Sequence, residues 1–260
     1  TLTYSQKILK KYEEPLWSYS LDTITPDNLQ IIYRSLFHAT ISLPYNQQEV
    51  FTPKDIFLYE KQLYFGKYKT DLVKDIITRM LVKNLWKEGF LTKNSLLLSY
   101  PSHKVSSENT AFKAIEGYLT PSLLRWRDTV NKSYLRSIKR HSKITFEEEF
   151  NSLVLDCKKS VRDKVIIVLD DFSTTGLSLE SARNLLVAGD ADKIVLCSIG
   201  KFCKNETAKH NIYSIKTRFN PYLKEDKIQK GDYQYVSQEM KQNTKVQETL
   251  TEYFTHLSML

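Results

Sequence analysis

Cysteine is scarce in this chain, and its pattern excludes two classes of small, cross-linked domain. The three cysteines, Cys157, Cys197 and Cys203, are odd in number, and no two of them form a CxxC pair. Neither a disulfide framework nor a structural zinc site is therefore indicated. Cys157 and Cys197 lie in apolar segments, which predicts a packing role for both.

Long hydrophobic runs are missing as well. No apolar segment approaches the ~18 residues needed to cross a bilayer, and no charged segment followed by an apolar one opens the chain. Hydrophobic residues still make up 41% of the 260 residues, which is enough for a packed interior. We expect a soluble, cytoplasmic protein that does not bind a membrane.

Acidic residues are fewer than basic residues, 30 against 38, so the formal net charge is +8. Much of this excess lies between Arg125 and Lys143, where seven cationic side chains accompany one acidic residue, Asp128. The segment could be a basic surface for nucleic acid, a mobile loop that supplies cations to a pyrophosphate, or a solvated helix. Its place between two strand-loop segments favours the mobile loop.

The most informative segment runs from residue 165 to residue 178. Its first five residues, Val165 to Leu169, are all apolar and predict a strand covered on both faces in a parallel sheet. Asp170 and Asp171 follow at the carboxyl end, where open α/β sheets bind ligands. A helical pattern from Leu179 to Leu186 comes next, so the hydroxyl-rich turn between the acid pair and this pattern is the start of a helix. Because a helix start presents unpaired backbone N–H groups and the positive end of the helix dipole, it can bind phosphate.

This segment resembles the motif with which type I phosphoribosyltransferases bind 5-phosphoribosyl 1-diphosphate (PRPP). The resemblance implies that Asp170 and Asp171 hold the ribose hydroxyls. It also implies a loop for the 5-phosphate, formed by Ser173, Thr174, Thr175, Gly176, Leu177 and Ser178. Leu177 stands where the family usually has a second glycine. The alternative is a strand that ends in a turn before a capped helix, with no ligand.

A second strand-loop-helix pattern precedes the motif. Leu96 to Ser99 form an apolar strand that leads into a polar, basic loop, and a helical pattern from Ala111 to Leu119 follows. In the resembled family a loop at this place grips the pyrophosphate of PRPP. Carried over, the candidate residues are Ser102, His103 and Lys104.

The order of these parts is also similar to the competence-protein F (ComF) branch of the fold. An aromatic-glycine-basic segment, residues 64–68, precedes a helical pattern through residues 72–81, and the basic loop, the cationic stretch and the acid pair follow in turn. The cysteine-rich start of many such proteins is missing. The resemblance covers residues 61–203 and is strong around residues 165–182.

The element pattern predicts an α/β fold, a doubly wound, mainly parallel sheet, with an additional partly helical layer from residues 1–60. Within that layer, Pro26 and Asp27 signal a helix over Leu29 to Ala39. The layer would act as an accessory region or hood, residues 61–236 as the core, and residues 237–260 as a C-terminal helix on the core or a partner. Apolar spacing from Phe146 to Cys157 predicts a further amphipathic helix.

The resemblance implies displacement of pyrophosphate from the anomeric carbon by a nitrogen nucleophile. Asp170 and Asp171 would position the ribose and, with substrate oxygens, hold Mg²⁺, with no purely protein-built metal site. The predicted cations for the leaving group are Lys104 and one or more of Arg125, Arg127, Arg136 and Arg140. No general base stands out, although His103 and His141 are candidates.

The sequence does not identify the acceptor or the biological role. Aromatic residues between 204 and 236 could stack on a base, although core packing is the favoured interpretation. A second hypothesis is a regulatory protein that binds PRPP without transfer and associates with nucleic acid or another protein. A third is a specialised effector in bacterial competition or phage defence. Homo-oligomers are compatible with all three.

Overall fold

The architecture comes from a computed structural model, which describes residues 14–39, 66–105, 110–129, 144–203, 207–248 and 250. The strands are β1 (Tyr19–Ile24), β2 (Gln30–Ala39), β3 (Ser95–Ser99), β4 (Leu123–Arg125), β5 (Leu153–Leu155), β6 (Val165–Ser173), β7 (Lys193–Phe202), β8 (Lys209–Ile215), β9 (Tyr233–Glu239) and β10 (Lys241–Gln242). The α-helices are α1 (Gly66–Lys87), α2 (Phe146–Phe150) and α3 (Leu177–Ala188), and Thr110–Tyr118 forms a kinked 3₁₀ helix.

Six strands form one sheet in the order β10-β1-β2-β7-β6-β3. The four strands β2, β7, β6 and β3 run parallel, whereas β1 and β10 add an antiparallel edge. Two smaller antiparallel sheets pair β4 with β5 and β8 with β9. The predicted α/β fold with a mainly parallel sheet is confirmed, as are the strands near residues 96 and 166.

Both faces of the sheet are covered, because neighbouring residues of a strand point to opposite sides. Ile166 and Val168 of β6 pack in the cluster that contains the apolar side of α3. Ile167 and Leu169 pack in the other cluster, together with α1. This division explains why residues 165–169 of β6 are all apolar instead of alternating.

The helix predicted over Leu29 to Ala39 is wrong, since this segment is strand β2. It lies inside the main sheet and pairs with β7, so its successive residues are buried on both sides. Pro26 and Asp27 instead occupy the turn between β1 and β2, where Thr25 N donates to Leu29 O at 2.9 Å. Turn residues that signal a helix start serve a hairpin equally well.

Two further helix predictions need correction. The segment from Phe146 to Cys157 forms the short helix α2 and then strand β5, and Cys157 is exposed, whereas Cys197 is buried as predicted. The C-terminal helix begins later than predicted, because residues 237–242 belong to β9 and β10 and helix is present at 244–248. In a short apolar segment, spacings of three and four residues fit either one continuous helix or a short helix that is followed by a strand.

The described N-terminal segment contributes β1 and β2 to the central sheet. The division into a hood, a core and a C-terminal segment stays a prediction, since residues 40–65 and 251–260 lie outside the described part of the chain. The helical pattern through residues 72–81 is confirmed within α1. Among the described residues no helix is both long and apolar enough to span a membrane.

Candidate functional site

The carboxyl ends of the parallel strands bring the predicted site residues to one edge of the sheet. Strand β3 ends opposite Leu169, and Tyr100 N then donates to Leu169 O at 2.7 Å. Strand β6 continues four residues further, to Ser173, and not to Leu169 as predicted. The acid pair therefore lies on the part of β6 that extends past β3.

In the turn from β6 to α3, the backbone carbonyl groups accept hydrogen bonds from neighbouring parts of the protein. Thr174 O accepts a hydrogen bond from Lys201 Nζ at 2.6 Å, and Thr175 O accepts one from Asn211 N at 2.8 Å. The third carbonyl, that of Gly176, accepts from Glu180 N at 2.8 Å as the first turn of α3 forms. Three successive carbonyl oxygens are thus directed to protein donors, which fixes the path of the turn.

The backbone donors of the same turn are arranged differently. No acceptor within the described part of the chain is recorded for the N–H groups of Thr175, Gly176 and Leu177. Gly176 is the N-cap of α3 and offers no side chain to the helix start. The start of this 12-residue helix therefore presents backbone donors and the positive end of its dipole, which together suit a phosphate group.

Gly176 is required for two independent reasons. Its φ of 88° lies in the left-handed region, which a residue with a side chain adopts only at a cost. A Cβ atom at this position would also lie 2.1 Å from His210 Cε1. The imidazole of His210 thus rests directly on the turn, and Leu177, where the family pattern has its second glycine, begins the helix proper.

Lys201, which sequence reasoning missed, lies beneath the turn. Its side chain is only 1% exposed, and among the described residues its hydrogen-bond partners are uncharged: Thr174 O and, at 3.4 Å, Ser173 Oγ. Burial lowers the pKa of Lys201 from 10.5 to about 8, although the charge of Glu180 favours the ammonium. A lysine at the end of an otherwise apolar strand was the available signal.

A buried polar cluster fixes α3 behind the turn. Glu180 Oε2 accepts hydrogen bonds from Arg183 Nε at 2.9 Å and from Tyr213 N at 2.8 Å. Its other oxygen, Oε1, accepts from the Tyr33 hydroxyl at 2.5 Å and lies 3.2 Å from His210 Nε2. Burial alone would raise the pKa of Glu180, but the charge of Arg183 and these hydrogen bonds lower it, so the carboxylate stays ionised.

The two acids of the motif have different environments. Asp170 is 7% exposed, and its Oδ1 accepts a hydrogen bond from Asp171 N at 2.9 Å. Asp171 is exposed, and its Oδ1 accepts from Phe172 N at 2.6 Å. Because neighbouring residues of a strand point to opposite sides, the two carboxylates leave β6 on opposite faces of the sheet.

Metal binding by protein groups alone has little support in the described residues, which contain no cluster of three His, Cys, Asp or Glu suited to an ion. The donor chemistry nevertheless fits Mg²⁺, which prefers oxygen ligands and is commonly held by one or two carboxylates with substrate phosphates and waters. Asp170 and Asp171 are the residues that would hold it.

The predicted pyrophosphate loop is tied to the start of the cationic stretch. Thr129 N donates to His103 O at 2.8 Å, and Val105 N donates to Asp128 Oδ1 at 2.7 Å. Within the loop Ser102 and His103 are partly exposed and Lys104 is exposed. The structure thus places these residues after β3, next to β6, on the side away from β7.

Arg125 holds this loop from inside the protein. It is 7% exposed, pairs with Glu149 Oε1 at 2.9 Å, and donates to the Ser102 carbonyl and the Ser152 hydroxyl. The Tyr100 hydroxyl donates to the same Glu149 oxygen. Arg125 therefore supports the loop and does not point a charge at a ligand, and Arg127 stacks over Trp126 at 5.4 Å.

Two of the predicted cations, Arg136 and Arg140, and one of the two candidate bases, His141, lie outside the described residues. Most aromatic residues considered for stacking on an acceptor instead pack internally. Tyr213 stacks on Phe146 with ring centroids 4.2 Å apart, and the Tyr233 hydroxyl donates to Glu147 at 2.5 Å. These contacts confirm the packing interpretation for both tyrosines.

No protein-family model matches the sequence, and no curated protein matches it significantly.

Proposed function

We propose that this protein is a Mg²⁺-dependent phosphoribosyltransferase. It binds PRPP, transfers the phosphoribosyl group to a nitrogen acceptor and releases pyrophosphate. The observation that carries the proposal is the turn from β6 to α3, whose carbonyls are held from behind by Lys201, Asn211 and Glu180 while its backbone donors open onto a helix start. The resemblance of residues 165–178 to the PRPP-binding motif supplies the ligand.

Each part of PRPP has a matching part of the site. The 5-phosphate fits the turn, where the α3 dipole, backbone N–H groups and the buried Lys201 ammonium all favour a dianion. The ribose hydroxyls fit the acid pair in β6 that precedes the turn, since carboxylates accept hydrogen bonds from hydroxyl groups. The diphosphate fits the loop after β3, with Lys104 as the exposed cation.

The reaction requires the protein to stabilise charges that develop on the substrate, and it does not require a nucleophilic side chain. As the bond to the diphosphate breaks, positive charge develops on the sugar and negative charge on the leaving oxygen. Asp170 and Asp171 orient the ribose, and Lys104 neutralises the departing group. Bound Mg²⁺ would add charge neutralisation on the diphosphate and orient the substrate.

A pyrophosphate-release assay tests the proposed activity. Purified protein is incubated with PRPP and Mg²⁺ alone and with separate nitrogen nucleophiles: ammonia, adenine, guanine, uracil and nicotinamide. We expect release by the wild type and its loss in the Asp170→Asn, Asp171→Asn variant. Absence of both PRPP binding and pyrophosphate release in folded wild-type protein would refute the proposal.

A matched control separates site effects from charge effects. Asp190→Asn also removes a carboxylate, but this residue is exposed and pairs with Arg162 at 2.7 Å near the amino end of β7. We expect wild-type release from this variant. Equal losses in the control and the double variant would assign the effect to net charge and contradict the site.

A further inference from the structure

The proposed reaction needs a group that takes a proton from the attacking nitrogen. Displacement at an anomeric carbon brings the nucleophile to the face opposite the leaving group. The loop proposed for the diphosphate follows β3, which lies on one side of β6. With the diphosphate on that side, the acceptor would approach from the other side of β6, over β7 and β2.

Sheet register places a histidine on that side. His38 of β2 pairs with Lys201 of β7, and Lys201 pairs with Ser173 of β6. These three residues form one row across the carboxyl ends of adjacent parallel strands. Neighbouring strands lie ~4.8 Å apart, so the His38 backbone is on the order of 10 Å from the phosphate turn. A ribose with its acceptor spans a gap of this size.

Two aromatic rings lie at the same ends of β6 and β7, next to this row in sequence. Phe172 follows the acid pair in β6, and Phe202 follows Lys201 in β7. Their ring centroids are 5.8 Å apart, and both side chains are partly exposed. Apolar rings at this edge limit the access of water, which competes with any nitrogen nucleophile.

The ring of His38 is held in place by a buried partner. Its Nδ1 lies 2.6 Å from the hydroxyl oxygen of Tyr19, which is fully buried in β1, whereas His38 itself is partly exposed. A hydrogen bond at one ring nitrogen orients the imidazole and leaves the second nitrogen to take a proton, as general-base catalysis requires.

We propose that His38 is the residue that accepts the proton of the attacking nitrogen and that Tyr19 positions its ring; the inference rests on the phosphoribosyltransferase activity proposed above. The nitrogen lone pair forms the new bond to the anomeric carbon, and the carbon–oxygen bond pair leaves with the diphosphate. The N–H proton passes to His38 Nε2 and from there to solvent. No oxidant or further reactant is needed.

The surroundings of His38 keep it in the form that a base needs. Burial lowers the pKa of His38 below 6.5, so the ring is neutral at pH 7. On the neighbouring elements, burial raises the pKa of Tyr19 and of Cys203, so both stay protonated and uncharged. Lys201 pairs with His38 in the register of β7 and β2.

Nitrogen NMR of the imidazole rings tests the inference without an acceptor. The proposal requires the Nδ1 proton to be donated to Tyr19, which leaves the lone pair on Nε2. The His38 signals are those absent from the His38→Gln variant. Protonation at Nδ1 with a pKa below 6.5 is the expected result, whereas a neutral ring protonated at Nε2 has no outward lone pair and overturns the proposal.

Kinetics with the five nucleophiles supply the second test. We expect His38→Gln to bind PRPP as the wild type does but to release pyrophosphate about 10²- to 10⁴-fold more slowly. The wild-type rate falls as acid protonates His38, and this dependence vanishes in the variant. Tyr19→Phe keeps the ring and removes the hydroxyl, so it lowers kcat less than His38→Gln does and leaves KM unchanged.

The outcomes separate the two proposals. Failure of the wild type to bind PRPP refutes the phosphoribosyltransferase itself. Wild-type PRPP binding combined with an unaltered pH profile in His38→Gln refutes the role of His38 alone. If the wild type binds PRPP but accepts none of the five nucleophiles, the NMR experiment decides whether His38 is the base, because it shows which ring nitrogen of His38 carries the proton.

Discussion

Replacement of Lys201 by methionine gives the most informative single perturbation of the phosphate turn. Methionine has a similar length and no charge, so it fills the same buried space. The lowering of the Lys201 pKa from 10.5 to about 8 means that burial disfavours the ammonium by about 3 kcal/mol in the ligand-free protein. Loss of the hydrogen bond to Thr174 O offsets this gain by about 1–3 kcal/mol.

The two effects predict an unusual combination. Ligand-free Lys201→Met should be as stable as the wild type or up to about 2 kcal/mol more stable, although it has lost a hydrogen bond. PRPP affinity should fall about 100-fold, or ~3 kcal/mol, because the buried ammonium is already dehydrated and its attraction to phosphate is not offset on binding. Urea unfolding and calorimetric titration measure the two quantities.

The pH dependence follows from the same pKa. Below pH 8 the lysine is protonated both in the folded and in the unfolded chain. Between pH 8 and 10.5 the unfolded chain binds the additional proton, so the Lys201 contribution to the free energy of unfolding rises with pH. PRPP affinity should fall over the same range, because the folded protein must regain the proton to bind phosphate.

Lys193→Met is the matched control, since Lys193 begins the same strand at the end away from the site. It should leave PRPP affinity and its pH dependence unchanged. A Lys201→Met protein that is destabilised and binds PRPP with wild-type affinity would refute the reasoning.

Three further substitutions separate the parts of the site. Asp171→Asn, at an exposed position, should leave the unfolding free energy within about 0.5 kcal/mol and weaken PRPP binding in Mg²⁺ at least about tenfold, as calorimetry would show. Gly176→Ala should lose about 2–4 kcal/mol of stability in urea unfolding, because it combines left-handed strain with the His210 clash. Arg125→Gln should cost about 3–5 kcal/mol by leaving the buried Glu149 carboxylate without the charge of Arg125, and Glu149→Gln added to it should restore part of that loss.

Sequence patterns predicted the parts of the fold in which one period dominates. The apolar run of β6 and the helical spacings of α1 and α3 correspond to elements buried in two clusters, and each was found. Strand β2 was missed because its residues are apolar on both sides, which erases the alternation that marks a strand. The turn before β2 contains Pro26 and Asp27, and these residue types are also common at the start of a helix.

The site was predictable where it is local in sequence. The turn from Thr174 to Gly176 could be placed from its flanking strand and helix. Lys201 and His38 could not, because their relation to the turn depends on strand register across the sheet. Arg125 was assigned with the other cations, since only tertiary contacts reveal that it pairs with Glu149.

Calorimetric titration of the protein with PRPP and Mg²⁺ tests the central claim most directly. The account predicts saturable, one-site binding by the wild type. The Asp170→Asn, Asp171→Asn variant, checked by circular dichroism for its fold, should bind at least about tenfold more weakly. No binding by the folded wild type, or equal binding by the double variant, would contradict a ribose-phosphate site at the end of β6.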